Sequence, residues 1–199
     1  VSTAGSVELV RQAKARGVKV TAEVTPHHLS LTDELARTYD PAFKVNPPLR
    51  TSADVEAVRA GLADGTLDVV GTDHAPHADQ DKDCEWGCAS FGMLGLQTAL
   101  SVVVDAMVST GALDWAGVAD RMSIRPAQIG QLTDQGRPIE VGEPANLVLV
   151  DPDATWVVDP EELCSKSRNS PFAGHTLPAQ VVLTLLRGKM TYSLQEKVA

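Results

Sequence analysis

Residues 68–77 read Asp-Val-Val-Gly-Thr-Asp-His-Ala-Pro-His. The β-branched run over 67–72 has the length that is typical of a buried strand. The run stops at Asp73, and Pro76 prevents a simple continuation as strand or helix. In an α/β barrel, the catalytic groups lie at the carboxyl ends of the parallel strands. The stretch therefore favours an α/β fold with Asp73 at the tip of a strand.

Asp73 and the two histidines after it are candidates for chemistry. A carboxylate can bind a metal or move a proton, and the imidazoles of His74 and His77 can bind substrate or tune that carboxylate. A solvated turn, in which Asp73 only caps the next segment, is the alternative interpretation. Both interpretations are compatible with the local sequence.

Helices and strands alternate on either side of this stretch. The predicted elements are a helix capped by Ser2 or Thr3 and ending near Arg16, a strand over 18–24, a short helix from Thr32 to Tyr39, a helix from Ser52 closed at Gly65, the strand over 67–72, an apolar helix ending near Val108, and helices over 113–122 and 126–132. From Gly136 the pattern becomes β-rich, with strands over 142–151 and 156–158 and a hairpin over 181–192. We expect two parts, residues 1–135 and 136–199.

Composition narrows the class of protein. The 199 residues carry a net charge of −9, which argues against a general binder of nucleic acid or membrane surfaces. No apolar run approaches the roughly 20 residues that span a bilayer. Residue 1 is not Met and no signal-peptide pattern follows, so we expect a cytoplasmic protein whose natural start lies elsewhere. Three cysteines fit a reducing compartment. Cys84 and Cys88 could form half of a structural zinc site or be ordinary reduced thiols.

Two further segments are candidates for binding. The prolines after Asn46 fix the backbone, so the Asn46 amide could bind the carbonyl and N–H of an amide or imide, or hydrogen-bond within its own turn. The segment Phe-Gly-Met-Leu-Gly-Leu at 91–96 contains Gly92 and Gly95, which would let a ligand approach the backbone closely. Closer helix packing is an equally plausible role for these glycines.

Several of these motifs together resemble the dihydroorotases of the amidohydrolase superfamily. The matching stretches are Glu-Val-Thr-Pro-His-His-Leu at 23–29, Asn-Pro-Pro-Leu-Arg at 46–50, Thr-Asp-His-Ala-Pro-His at 72–77, Phe-Gly-Met-Leu-Gly-Leu-Gln-Thr-Ala at 91–99, Pro-Phe-Ala-Gly at 171–174 and Leu-Arg-Gly-Lys at 186–189. They occur in the order of the family and cover nearly the whole chain. Asp-His-Ala-Pro-His alone is shared with hydantoinase- and allantoinase-like relatives.

The resemblance implies a metal-dependent (β/α)8 TIM barrel, with residues 1–135 as its C-terminal portion and residues 136–199 as a small β-sandwich tail. It implies a zinc hydrolase, with one or two Zn2+, that interconverts N-carbamoyl-L-aspartate and dihydroorotate in pyrimidine biosynthesis. Asp73 matches a metal ligand that also transfers the proton. The residues that match substrate-contacting positions are Asn46, His77, Phe91 and Gly92. His27 and His28 do not match zinc ligands, and we expect them either to support residues of the site or to have structural roles.

The other metal ligands of the family are not visible in this chain. We therefore expect a fragment that begins just after a ligand histidine, is inactive by itself, and is unstable alone or associates with itself. Two alternatives remain for the function. One is a hydantoinase- or allantoinase-like cyclic amidase. The other is a non-catalytic dihydroorotase-like subunit that scaffolds aspartate carbamoyltransferase. The expected partners are the small-molecule substrate and either further copies of the chain or aspartate carbamoyltransferase.

Overall fold

Two short parallel strands carry the first part of the fold in the computed structural model, which describes residues 1–195. Strand β1 (Glu23–Val24) pairs with β2 (Val69–Val70) in the register Glu23↔Val69 and Val24↔Val70. The strands lie where the sequence predicted them, but the paired region is shorter. Among residues 1–195 neither strand has a second neighbour, so the ladder is limited to this one pair. A parallel pair needs a crossover, and helices between the two strands provide it.

Helices occupy most of residues 1–135. The α-helices are α1 (Ala4–Ala15), α2 (Pro26–Ser30), α3 (Asp33–Ala36), α4 (Ser52–Asp64), α5 (Asp79–Lys82), α6 (Ala99–Val103), α7 (Trp115–Ala119) and α8 (Arg125–Ile129). Single turns of 3-10 helix lie at Pro41–Phe43 and Pro160–Glu162. The helices α6 and α7 continue as π-helical turns over Val104–Val108 and Asp120–Ile124. No helix of residues 1–195 is long and apolar enough to cross a membrane.

The helix ends follow from capping. The Thr3 hydroxyl accepts from the N–H of Ser6 at 3.2 Å, so Thr3 rather than Ser2 is the cap of α1. The cap of α4 is Thr51, one residue before the predicted Ser52. That helix ends at Gly65, whose φ of +86° is the left-handed conformation that glycine favours. Helix α3 stops at Ala36, three residues earlier than predicted.

Two apolar clusters form the core. The first lies between α1, α4 and the parallel strands and includes Val7, Val24, Val58, Leu62, Leu67, Val103 and Met107. The second joins the segments that carry the candidate site to the tail and includes Leu31, Val45, Leu49, Met93, Val102, Val158 and Phe172. Burial of such side chains is worth roughly 1.5–3 kcal/mol each.

The tail contains an antiparallel sheet in the order β3-β4-β5. Its strands are β3 (Leu147–Val157), β4 (Thr176–Leu186) and β5 (Lys189–Ser193). The strands predicted over 142–151 and 156–158 are one strand, with register irregularities at Leu149/Val150 and Asp151/Thr155. The hairpin between β4 and β5 is confirmed, and Arg187 and Gly188 have the positive φ values of a tight hairpin turn. The buried Ser101 hydroxyl donates to Ala179 O at 2.7 Å and fixes the sheet to α6.

Candidate active site

Asp73 ends the segment that contains β2. Its φ of +47° lies in the left-handed region, which Asp tolerates better than most residues. The side chain is exposed, and its carboxylate makes no hydrogen bond or ion pair within residues 1–195. The structure therefore leaves this carboxylate available for a ligand or a proton.

The two histidines after Asp73 bind the segment 91–96. His74 Nδ1 accepts from the N–H groups of Gly95 at 3.2 Å and Leu96 at 3.3 Å, so the ring proton lies on Nε2. His77 Nε2 lies 2.7 Å from Phe91 O and donates to it. The N–H of Ala75 also donates to Met93 O, at 3.0 Å. The turn 73–77 and the segment 91–96 are therefore held together as one unit.

Gly92 is required by this close approach. Its φ is +129°, and an added Cβ would lie 2.6 Å from the Ala75 Cβ and 2.8 Å from His77 Nε2. No larger side chain fits without displacing the turn. Phe91 beside it is 59% exposed, so its ring is accessible to a ligand. The structure thus brings three of the predicted site residues into contact, namely His77, Phe91 and Gly92.

Asn169 joins the same unit and was not singled out from the sequence. Its buried amide donates to Ala75 O at 3.0 Å and Gly92 O at 3.3 Å, while its Oδ1 accepts from the His77 N–H at 3.3 Å. Its main-chain carbonyl accepts from Leu94 N at 3.0 Å. Because these partners lie more than 70 residues away along the chain, no local sequence signal could identify the role.

Asn46 lies on a second segment, before a cis peptide bond to Pro47. Its side chain is exposed and has no hydrogen bond within residues 1–195. The buried His28 is hydrogen-bonded to the two prolines that follow Asn46. Its Nε2 donates to Pro47 O at 3.1 Å and Pro48 O at 3.3 Å, and its Nδ1 accepts from the Thr25 hydroxyl at 2.7 Å. Burial lowers the pKa of His28, so it acts here as a neutral ring.

His27 is 1% exposed, and its ring lies 4.5 Å from the ring of His28 between centroids, with the two planes tilted by 50°. Its Nε2 has no hydrogen-bond partner in the described part of the chain. Burial, and then the neighbouring His28, lower the pKa of His27 to about 3. His27 is therefore uncharged at neutral pH.

Two buried lysines lie where the Asn46 segment meets the segment 91–96. The Lys44 ammonium donates to the carbonyl oxygens of Trp86 and Ala89 and lies 4.9 Å from the centroid of the Phe91 ring. The Lys82 ammonium donates to Ser90 O at 3.0 Å and Gly92 O at 2.8 Å. Burial, and then the charge of Lys44, lower the pKa of Lys82. No motif or spacing in the sequence points to either lysine.

A metal centre needs more ligands than these residues supply. Residues 1–195 contain no group of three or more His, Cys, Asp or Glu side chains that could hold a metal ion. Catalytic zinc sites use three protein ligands. Asp73 could serve as one ligand, but the described residues alone do not fit a complete zinc site. Cys84 and Cys88 are free thiols, and no metal cluster forms around them in this part of the chain.

Two clefts flank the turn 73–77. A cleft of about 410 Å³ is lined by Asp40, Ala42, His77, Asp79, Lys82, Asp83, Arg168 and Asn169. A second cleft of about 240 Å³ is lined by His74, Leu94, Gly95, Leu96, Gln97, Thr98, Leu163, Cys164 and Ser165. Both clefts are open to solvent beside candidate site residues.

Known proteins resemble this chain over nearly its whole length. The profile described as "Amidohydrolase family" matches residues 2–191. The dihydroorotase of Streptomyces coelicolor is 65% identical over 191 residues, which are 96% of this chain and 45% of that protein. The dihydroorotase of Mycobacterium tuberculosis is 57% identical over 190 residues, with 96% and 44% covered. The chain thus spans less than half the length of these curated relatives.

Solved structures agree in fold. The L-hydantoinase (dihydropyrimidinase) of Arthrobacter aurescens matches with a TM-score of 0.91 and 32% identity, covering all of this chain and 45% of that one. The D-hydantoinase of Thermus sp. matches with a TM-score of 0.88 at 24% identity, again over 100% and 45%. The second likeness concerns the fold alone.

Proposed function

The chain belongs to the amidohydrolase family, and on that basis we propose that it forms the carboxyl-terminal part of a zinc-dependent dihydroorotase. The predicted resemblance to dihydroorotases is confirmed by relatives at up to 65% identity. The predicted α/β class is confirmed at the level of the fold. The proposed reaction is the reversible interconversion of dihydroorotate and N-carbamoyl-L-aspartate, in pyrimidine biosynthesis.

One observation carries the proposal. Main-chain hydrogen bonds join the three segments that contain Asp73, Phe91 and Asn46. The turn with Asp73 is joined to the segment 91–96 by the hydrogen bond from Ala75 N to Met93 O. The segment 91–96 is joined to the segment with Asn46 by the bond from Gly92 N to Lys44 O at 2.9 Å. The segments that carry the Asp73 carboxylate, the Asn46 amide and the Phe91 peptide are therefore joined by hydrogen bonds, which supports a shared site for a cyclic amide.

Asp73 would act in the proton transfers. Ring opening adds water to the amide carbonyl, breaks the C–N bond and places a proton on the leaving nitrogen. The Asp73 carboxylate would accept the proton from the water and deliver it to that nitrogen, and ring closure would reverse both transfers. Zinc, when bound, would polarise the carbonyl and make water a stronger nucleophile near neutral pH. We assign Asp73 as one ligand of that ion and place the remaining ligands in the part of the relatives that this chain does not cover.

The hydrogen bonds limit which substrate contacts are free. The N–H and C=O of Gly92 are already bonded within the chain, and so is His77 Nε2. The groups left for a substrate are Nδ1 of His77, the N–H and second lone pair of the Phe91 peptide, and the Asn46 amide. These positions would recognise the alternating carbonyl and N–H groups of a cyclic ureide.

We also propose the domain architecture, the cellular location and the partners. Residues 1–135 would form the carboxyl-terminal portion of a (β/α)8 barrel, and residues 136–199 a sandwich tail. The three cysteines are free thiols, which supports a cytoplasmic location. Association with further copies of the chain, or with aspartate carbamoyltransferase, belongs to the same proposal.

A substrate panel tests the reaction. The protein expressed from its complete gene is assayed with dihydroorotate, hydantoin and allantoin in the presence of zinc. We expect ring opening of dihydroorotate to be the fastest by at least about a hundredfold in kcat/KM, because a site built to bond polar groups strongly rejects substrates that lack them. The likeness to the L-hydantoinase makes preference for hydantoin the second candidate. If the protein binds no zinc and turns over none of the three substrates, the result would instead favour the scaffold subunit.

A further inference from the structure

Lys44 and Lys82 form an arrangement that the proposed reaction does not use directly. Lys44 is 8% exposed and Lys82 is 9% exposed, and neither forms an ion pair with a carboxylate in residues 1–195. A buried ammonium is unfavourable unless hydrogen bonds replace its hydration. Main-chain carbonyl oxygens supply all of those bonds here.

The bonds of each ammonium account for its three N–H donors. Lys44 Nζ faces the carbonyl oxygens of Trp86, Gly87 and Ala89, the last at 2.6 Å. Lys82 Nζ faces those of Gly92 at 2.8 Å, Ser90 at 3.0 Å and Lys44 at 3.5 Å. Together the two side chains bind carbonyls along residues 86–92, which we call the lysine-bound segment.

The lysine-bound segment is also held by other hydrogen bonds. The N–H groups of Cys88 and Ala89 donate to Glu85 O, the N–H of Ser90 donates to Asp81 O at 2.9 Å, and the N–H of Gly92 donates to the main-chain oxygen of Lys44 at 2.9 Å. His77 Nε2 and the Asn169 amide donate to Phe91 O and Gly92 O at the end of the segment. Lys44 lies two residues before Asn46 along the chain. The same lysine also places its ammonium beneath the exposed Phe91 ring. Both lysines therefore act where the Asn46 segment meets Phe91 and Gly92.

We propose that Lys44 and Lys82 are positioning residues, which bind the carbonyls of the lysine-bound segment and so fix the Phe91 peptide relative to Asn46. The substrate part of this inference rests on the proposed function. Carbonyl partners suit this task better than carboxylates, because they tie the cations to the backbone of the segment itself. Without the ammonium groups, these inward-facing carbonyls would turn toward water and the segment would open.

Hydrogen exchange tests the proposal without requiring activity. The variants Lys82→Met and Lys44→Met keep the length of the side chain and remove the charge, and Lys19→Met removes an exposed lysine as the matched control. In protein expressed from the complete gene, we expect peptides spanning 84–92 to exchange about tenfold faster in both site variants, with helix α4 unchanged. Exchange of 84–92 within about twofold of the unsubstituted protein in both variants would overturn the proposal.

Amine labelling of the unsubstituted protein provides a second test that no folding defect can obscure. Lys44 and Lys82 should react with an amine-directed reagent at least about tenfold more slowly than Lys19, because their ammonium groups are buried and bonded. Reaction of both at the rate of Lys19 would show that the carbonyl bonds do not persist, and would overturn the proposal.

Kinetics distinguish a positioning role from a merely structural one. We expect Lys82→Met to raise KM for dihydroorotate about fivefold to tenfold with a smaller change in kcat, because misplaced peptide groups weaken binding of substrate. Faster exchange of 84–92 with unchanged KM would contradict the link to the substrate. If the unsubstituted protein opens no cyclic amide, the proposed function fails, while exchange and labelling still decide whether the lysines hold the segment.

Discussion

His28 donates from Nε2 to the carbonyl oxygen of Pro47 across 3.1 Å, and this bond links helix α2, which follows β1, to the Asn46 segment. The Thr25 hydroxyl bonds the opposite nitrogen and fixes the orientation of the ring. A buried, neutral imidazole with both nitrogens used is a structural support. The position of Asn46 therefore depends on a histidine that touches no ligand in the proposed mechanism.

Replacing His28 should weaken the fold. We expect His28→Ala to lower the free energy of unfolding by about 2–4 kcal/mol, because it removes a buried side chain and its hydrogen bonds. Urea denaturation measures this change. The control is His175→Ala, since His175 is exposed. Equal stability of the two variants would contradict the supporting role of His28.

Stability should fall in mild acid because of His27. Its pKa is lowered from 6.5 to about 3 in the folded protein, so between these values the unfolded chain binds a proton that the folded chain does not. This contribution is complete above pH 6.5 and is lost as the pH falls toward 3. Between pH 7 and pH 5 we expect a loss of about 2 kcal/mol from this residue.

The variant His27→Met isolates that contribution, since methionine does not titrate and needs no hydrogen bond. Urea denaturation of both proteins at pH 7 and pH 5 should give a smaller loss in the variant by about the same 2 kcal/mol. An identical pH dependence would mean that His27 is not the group responsible.

His77 should affect binding of substrate more than binding of metal. His77→Ala removes the bond to Phe91 O and frees the segment that would meet the substrate. We expect KM to rise about tenfold, with zinc content unchanged, because one hydrogen bond and its ordering effect are lost. Metal analysis accompanies the kinetics. Loss of zinc at normal stability would instead identify His77 as a ligand.

Gly92 should not tolerate a side chain. Gly92→Ala places a Cβ 2.6 Å from that of Ala75 at a positive φ, so we expect destabilisation by about 2–4 kcal/mol. Gly87→Ala is the matched control in the same loop, because a Cβ there meets nothing within 4 Å. Thermal unfolding compares the two. Similar melting temperatures would show that the turn and segment 91–96 are less tightly apposed than described.

Local patterns predicted the elements that depend on local interactions. Side-chain type and neighbouring positions predict the strand before Asp73, a helix cap at Ser2 or Thr3, and the stop at Gly65. The short paired region of β1 and β2 could not be predicted, because pairing depends on which strands lie alongside. Asp73 and Asn46 could be proposed as site residues from the sequence, because Asp73 is ionisable and follows a predicted strand, and two prolines fix the backbone after Asn46. Asn169 and Lys44 were missed because their partners lie more than 40 residues away along the chain. Lys82 was missed because bonds to main-chain carbonyls eight and ten residues away leave no pattern of side chains in the sequence.

The most direct test of the proposed function is the cyclisation of N-carbamoyl-L-aspartate by the complete gene product and its Asp73→Asn variant. Asn tolerates the left-handed backbone at this position and matches Asp in shape, but its amide cannot accept and return the proton. We predict that the unsubstituted protein, loaded with zinc, forms dihydroorotate and that the variant loses at least about a thousandfold in kcat while keeping its fold. Turnover by Asp73→Asn at the unsubstituted rate would contradict the assignment of Asp73 and the mechanism built on it.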